Sequence, residues 1–118
     1  MATVNLTRDV SSGFGAALGW TPLANGDDGQ AWDTQDMPDV SVQVLGTFGV
    51  GGNLRWQGCN EVVPLNWVTL ADPQANALDF TTAKVEQVLE NTRWMRPLVT
   101  AGDGTTSLTV RVWARRTR

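Results

Sequence analysis

Short runs of β-forming residues, separated by turn residues, occupy the chain from Asn66 to Arg116. The last run, SLTVRVWARR, alternates between apolar and polar residues. One side of the predicted strand takes Leu108, Val110, Val112 and Ala114. The other side takes Thr109, Arg111, Trp113 and Arg115. DVSVQVLGTF, which begins at Asp39, has the same period. A period of two residues predicts strands that bury one face and expose the other.

Six to eight such strands with no convincing long helix predict an all-β fold, either a sandwich or a barrel. The run VEQVLE also fits helical spacing, and we favour a strand or a single helical turn there. In RWMRPLVT, Pro97 predicts an edge strand or a bulge, because proline has no N–H to donate to a neighbouring strand.

Residues 1–36 are rich in Gly, Ala, Asn, Asp and Thr, and their apolar residues keep no sustained period. We therefore expect an irregular N-terminal segment, with at most one short strand at ATVNLTRDV. Such a segment drapes over the sandwich or reaches a neighbouring molecule as an arm. The β-sandwich domain is expected over residues 37–118, and the 118 residues are expected to form one domain overall.

Charge is unevenly distributed. Residues 1–50 carry one base, Arg8, and six acids: Asp9, Asp27, Asp28, Asp33, Asp36 and Asp39. The chain ends with the bases Arg111, Arg115, Arg116 and Arg118. This asymmetry predicts complementary contacts at two places, including contacts between copies. The formal net charge of −3 argues against direct nucleic-acid binding. No apolar run predicts a membrane span, and the start of the chain predicts no secretory signal.

No catalytic apparatus is evident. The chain has no histidine, which excludes the common triads and most zinc sites. Cys59 is the one cysteine, so we expect a buried thiol and folding in a reducing compartment. GVGG at Gly49–Gly52 lacks the lysine of a phosphate loop and is expected to be a turn. The carboxylates of NGDDGQAWDTQD do not follow the ligand order of a calcium loop. We predict no metal, no cofactor and no enzymatic activity.

Six tryptophans are the remaining unusual feature. Trp113 is predicted on the polar side of its strand, beside Arg111 and Arg115, and Arg93, Trp94 and Arg96 repeat the combination one strand earlier. Tryptophan and arginine are enriched at the centres of protein interfaces. The hypothesis is that these residues form an interface between subunits. A platform for stacking sugar rings is the alternative.

The order NWVTLADPQANAL, then VEQVLENTRWMRPLVTAGDGTTSLTVRV, resembles small virion proteins of tailed bacteriophages. The matching positions are Trp67, Leu70, Asp72, Pro73, Asn76, Ala77, Leu78, Trp94, Arg96, Pro97, Gly102, Asp103, Gly104, Thr105 and Thr106. Those proteins read W-x-x-L-x-D-P-x-G-N-A-L in the region that aligns with Trp67 to Leu78, and Ala75 stands at the position of the glycine. The resemblance covers about the C-terminal half and is strongest to the cement, or decoration, proteins of short-tailed phages.

That resemblance implies a jelly-roll-like β-sandwich that binds outside the capsid lattice and clamps major capsid protein subunits. It implies a virion protein on the capsid exterior, made in the host cytoplasm. The expected partners are the major capsid protein and copies of the chain itself, as a dimer or trimer, without nucleic acid or membrane. The alternative function is a carbohydrate-binding or adhesive β-sandwich module of a phage tail or surface structure.

Overall fold

The computed structural model describes residues 1–117, and within them it contains strands and no helix. The strands are β1 (Thr3–Val4), β2 (Thr7–Ser11), β3 (Gly15–Leu23), β4 (Asp28–Gly29), β5 (Trp32–Asp33), β6 (Asp39–Thr47), β7 (Asn53–Cys59), β8 (Val68–Thr69), β9 (Asp79–Phe80), β10 (Lys84–Gln87), β11 (Trp94–Ala101) and β12 (Ser107–Arg115). VEQVLE therefore begins as strand β10, and its helical alternative is excluded.

Two sheets pack face to face. One has five antiparallel strands in the order β10-β6-β12-β3-β2, with β12 at its centre. The other has seven strands: β1-β4-β11-β7-β8 form its path, β5 pairs with β11, and β9 pairs with β7. The predicted all-β, jelly-roll-like sandwich is confirmed. No helix in residues 1–117 is long and apolar enough to cross a membrane.

The core forms where the alternating apolar faces of the two sheets meet. On β12, Leu108, Val110, Val112 and Ala114 are all buried, as their alternation predicted. The opposite sheet contributes buried side chains that include Leu54, Trp56, Met95 and Val99. Trp20 of β3 meets Trp56 of β7 edge to face, with ring centroids 5.5 Å apart. Each buried indole removes a large apolar area from water, so this pair is central to the stability of the sandwich.

The N-terminal segment is not irregular, and that prediction is wrong. β3 is an inner strand that pairs with β12 on one side and β2 on the other, and it buries Leu18, Trp20 and Leu23. Its period was hidden because the alternate positions hold small residues rather than polar ones. A Cβ on Gly19 would lie 2.7 Å from the Val110 carbonyl oxygen, so the close approach of β3 to β12 requires glycine there.

Pro97 lies on an inner strand, so the predicted edge or bulge is absent at this residue. It is paired with Trp56, whose N–H and C=O bond to Leu78 and Leu70 instead. That pair is therefore not a hydrogen-bonded one, and the missing N–H of Pro97 faces the other neighbour. On that side β11 pairs with β5 as far as Met95 and with β4 from Leu98, so Pro97 lies in the gap between the two pairings. Proline is tolerated at this break because no ladder bond is lost.

Candidate interaction surface

The outer face of the five-stranded sheet carries an exposed tryptophan. Trp113 projects from the central strand β12 and is 45% exposed. The pairing register sets it between Ala17 of β3 and Ser41 of β6. We call the surface formed by Trp113, Arg111, Ser41, Gln43 and Val85 the Trp113 face. The small side chains of Ala17 and Ser41 on the two neighbouring strands leave part of the indole open to solvent.

Two open depressions border Trp113. One, of about 350 Å³, lies toward the end of β12 and is lined by Asp39, Ser41, Val85, Gln87, Trp113 and Arg115. The other, of about 230 Å³, is lined by Ala17, Ser41, Gln43, Val85, Arg111, Val112 and Trp113. Their linings mix apolar surface with amide and hydroxyl groups. Such depressions can accept side chains of a partner or the rim of a sugar ring, since both offer apolar and hydrogen-bonding groups.

The two arginines beside Trp113 differ in what they contact. Arg115 bonds to Asp39 through two guanidinium nitrogens, one of which is Nε at 2.8 Å from Oδ2. Arg111 is exposed, and its side chain has no hydrogen bond or ion pair among the described residues. The guanidinium of Arg111 is therefore free to bond to another molecule, whereas that of Arg115 is already held within the chain.

Arg93, Trp94 and Arg96 lie on the other sheet, so the structure does not bring them to the Trp113 face. The Arg96 guanidinium lies 4.4 Å from the centroid of the Trp67 ring, and its Nη1 is 2.8 Å from an oxygen of Asp28. Burial lowers the pKa of Arg96, and the negative charge of Asp28 opposes that change. Arg93 and Trp94 are likewise held by groups of the same chain.

The acidic segment and the arginines contact each other within the chain. The pairs are Asp28–Arg96, Asp33–Arg93, Asp36–Arg116 and Asp39–Arg115. The acidic residues near the N-terminus therefore form ion pairs with arginines of the same chain. The predicted contacts between copies through these charged side chains would have to compete with the ion pairs within each chain. Arg118, the last of the predicted basic residues, lies outside the described residues.

A loop that the sequence patterns did not single out presents apolar side chains to solvent. It joins β7 to β8, and Val62, Val63 and Leu65 in it are 77%, 65% and 73% exposed. Glu61 closes its base by accepting hydrogen bonds from the backbone N–H groups of Leu65 and Asn66, at 3.0 and 2.7 Å. Hydrogen bonds from Asn66, Cys59 and Leu65 lower the pKa of Glu61 to about 2.

This loop is also tied to the outer face of the seven-stranded sheet. The indole Nε1 of Trp94 donates to the carbonyl oxygen of Glu61 at 2.9 Å. Trp67, at the end of the loop, lies over Arg96. Cys59 is buried beneath the loop, as expected for the one cysteine. Trp94 and Arg96 therefore hold the loop to the sheet in this structure.

A second polar cluster joins the two turns at the other end of β7. Asp103 accepts hydrogen bonds from the N–H groups of Thr105 and Val50, both at 2.8 Å, and from the Thr105 hydroxyl. Hydrogen bonds from Thr105 and Val50 lower the pKa of Asp103 to about 2. Gly49 and Gly51 have φ of +76° and +69°, so GVGG forms the predicted turn.

No group of three or more His, Cys, Asp or Glu side chains in residues 1–117 is arranged to hold a metal ion. A further depression, of about 200 Å³, lies at the open edge between the sheets and includes Asp72, Asp79 and Glu86 in its lining. Lys84 also lines it and lies 3.9 Å from Glu86.

Comparison with known proteins relates this chain to others through its fold. No family model matches it, and no curated protein matches its sequence. The crystal structure of the SPBc2 prophage-derived protein YomS is similar, with a TM-score of 0.65 and 10% sequence identity over 91% of this chain and 99% of that chain. A cupin domain from Bordetella pertussis Tohama I has a TM-score of 0.55 and 11% identity, over 98% of this chain and 96% of that chain. At these identities the likeness shows the fold alone, a jelly-roll-like β-sandwich.

Proposed function

We propose that this chain is a non-enzymatic structural protein of a phage virion that decorates the outside of the head and clamps major capsid protein subunits. The observation that carries the proposal is Trp113, exposed on the outer face of the five-stranded sheet beside the unpaired side chain of Arg111. The sequence resemblance to cement proteins and the fold shared with a prophage-derived protein support it. In this role the protein needs neither a cofactor nor nucleic acid.

Clamping requires that one copy contact more than one capsid subunit. The Trp113 face and the exposed loop of Val62, Val63 and Leu65 lie on different sheets and give two separate contact surfaces. Two modest contacts on one rigid domain act together, because the second forms at the effective concentration that the first creates. Tight attachment to a repeating lattice then needs no single strong contact.

The experiment uses heads that lack the protein and measures how much added protein cosediments with them. Truncating a central interface tryptophan costs roughly 2–4 kcal/mol of binding, so Trp113→Ala should bind at least about 30-fold more weakly per contact. Its thermal midpoint should stay close to that of the wild type, because the indole lies outside the core and is 45% exposed. Arg55→Ala, on the outer face of the other sheet and near the start of β7 rather than the loop that follows it, is the surface control and should bind normally.

Val110→Ala is the core control. It should destabilise the domain by roughly 1–3 kcal/mol by leaving a cavity, since Val110 is fully buried. Unchanged attachment of Trp113→Ala to heads would contradict the role of the Trp113 face. Failure of the wild-type protein to cosediment with heads would contradict the decoration function itself.

A carbohydrate-binding or adhesive module is the second candidate. The observation in its favour is the pairing of the exposed indole with the polar side chains of Ser41, Gln43 and Gln87 around the two depressions. Sugar rings stack on tryptophan while their hydroxyls bond to such groups. Binding of the isolated protein to a glycan array, lost in Trp113→Ala and accompanied by no attachment to heads, would favour this function over the first.

A further inference from the structure

The two edges of the five-stranded sheet differ in how open they are to another strand. β2 forms one edge, and its pairing with β3 is interrupted by a register shift between Arg8 and Val10. β10 forms the other edge, and it pairs with β6 over Lys84–Gln87 without any shift. Bulges and irregularities keep sheet edges from pairing with other chains, and β10 has none.

The backbone of β10 presents unpaired groups at this edge. The N–H of Val88 donates to the carbonyl oxygen of Val40 at 2.9 Å, which fixes which residues face β6. The backbone N–H and C=O groups of successive residues in a strand point to opposite sides. Those of Lys84 and Glu86 therefore bond to β6, and those of Val85 and Gln87 point outward. Within residues 1–117, β6 is the one strand that pairs with β10.

We propose that β10 pairs antiparallel with β10 of a second copy of this chain, about a two-fold axis at Val85. In this register the outward N–H and C=O groups of the two Val85 residues bond to each other. Lys84 of each copy then lies directly opposite Glu86 of the other. A two-fold interface must be self-complementary, and the order Lys-Val-Glu around a central axis meets that requirement. Val85, 58% exposed in the single chain, packs beside its twin.

Charge selects this register over its neighbours. An axis at Glu86 would set the two Glu86 side chains opposite each other, and an axis at Lys84 would do the same with the lysines. Like charges directly opposite on paired strands are destabilising, whereas opposite charges stabilise the pair. Lys84 and Glu86 are already 3.9 Å apart within one chain, so the pairing creates an alternating group of two lysines and two glutamates.

The pairing rests on the strand edge alone and does not depend on a role in a capsid. It would join two five-stranded sheets into one continuous sheet and place both Trp113 faces on the same side of it. A short edge buries less area than a standard interface, so we expect a Kd on the order of 100 µM.

Charge exchange tests the proposal in the full chain. Sedimentation equilibrium of the wild type, up to about 1 mM protein, should show a monomer–dimer equilibrium. Lys84→Glu and Glu86→Lys each set like charges opposite each other, and each alone should weaken the dimer at least about tenfold. An equimolar mixture of the two variants should dimerise again. In the Lys84→Glu variant β10 has two glutamates, in the Glu86→Lys variant it has two lysines, and in a mixed dimer the glutamates lie opposite the lysines. The double variant, in which both changes occur in one chain, should also dimerise.

Val85→Pro tests the backbone bonds. It removes an N–H that points away from β6, so the variant should fold and remain monomeric. A circular dichroism melt of each variant confirms folding, and the mixture and the double variant keep the test decisive if a single variant melts early. The proposal is overturned by a wild type that stays monomeric throughout, by single variants that dimerise like the wild type, or by a mixture that does not dimerise. Head attachment by Trp113→Ala is a separate measurement, so the two proposals can fail independently.

Discussion

Ala75, like Gln35, has a backbone conformation that is unfavourable for a residue with a side chain. Its φ of +68° lies in the left-handed region, in the tight turn between Asp72 and Asn76. Asp72 holds this turn by accepting the N–H groups of Gln74 and Asn76, both at 2.9 Å. The turn forms with alanine because these hydrogen bonds outweigh the conformational cost at one position. The glycine that the phage pattern prefers here would remove that cost.

Ala75→Gly should therefore raise the free energy of unfolding by about 0.5–1 kcal/mol, the balance of relieved strain and greater freedom of the unfolded chain. Urea denaturation measures the difference. Ala77→Gly is the control, because Ala77 lies in an extended bridge with Ala71 and should instead lose about 0.5–1 kcal/mol. A loss of stability in both variants would show that the left-handed turn does not strain alanine.

Arg96 is the least exposed of the arginines that form ion pairs among the described residues. Its side chain is 19% exposed and that of Asp28 is 9% exposed, so the pair is largely shielded from water. Arg96→Ala should lower the free energy of unfolding by about 3 kcal/mol, because Asp28 would stay buried without its counter-charge. Arg96→Lys should have a free energy of unfolding between those of the wild type and Arg96→Ala, since lysine cannot also bond to Gln57 and lie flat on Trp67. Arg111→Ala removes a side chain that has no partner among the described residues, so it should change stability by less than about 0.5 kcal/mol. Equal losses for Arg96→Ala and Arg111→Ala would contradict this account.

Among the elements, β3 changes the interpretation of the N-terminal region most. It contributes Ala16, Leu18, Trp20 and Leu23 to the core. Deleting residues 1–19 would remove Ala16 and Leu18 and expose the side of β12 that they cover. We expect the deleted protein to lose its cooperative thermal transition. Removing residues 1–4, which takes away only the short strand β1, should leave a cooperative transition with a lower midpoint. A cooperative transition after the longer deletion would mean that β3 is dispensable.

How far the sequence predicted the elements depended on what stands opposite each apolar residue. On β12 the outer positions hold Arg111, Trp113 and Arg115, so the period was plain and the face assignment is confirmed. On β3 the outer positions hold Gly15, Ala17 and Gly19, which are small rather than polar, so the sequence shows no alternation between apolar and polar residues. The strand was therefore missed although its inner face is fully apolar.

The candidate surface was predictable only where it lay on one strand. The exposure of Trp113 followed from alternation, but the location of Arg93, Trp94 and Arg96 on the opposite sheet did not. Their partners include Asp28 and Asp33, which lie 60 or more positions away in the sequence. Such pairings arise from the sheet topology, and no local pattern of residues encodes them. The apolar loop after β7 has no period at all, so only its exposure identified it.

At the scale of the whole molecule, the carboxylates of Asp103 and Glu61 accept hydrogen bonds from loops at opposite ends of the sandwich. β7 runs from Asn53, beside the turn that Asp103 holds, to Cys59, beside the loop that Glu61 holds. The pKa of each carboxylate is lowered to about 2 in the folded protein by hydrogen bonds to its charged form. A carboxylate with a lowered folded-state pKa stabilises the fold above its unfolded-state pKa. That contribution is lost as the pH falls toward the folded-state value.

The thermal midpoint should therefore fall between about pH 4.5 and about pH 2, as the lowered pKa values of Glu61 and Asp103 imply. Glu61→Gln and Asp103→Asn together should have a lower midpoint at neutral pH and a shallower fall in acid, because a neutral amide has no carboxylate to protonate in this pH range. Differential scanning calorimetry across this range measures both effects. Asp9→Asn is the control, since Asp9 is exposed and its side chain has no hydrogen bond or ion pair among the described residues. If the double variant followed the wild-type curve in acid, the two carboxylates would not be the groups whose protonation destabilises the sandwich.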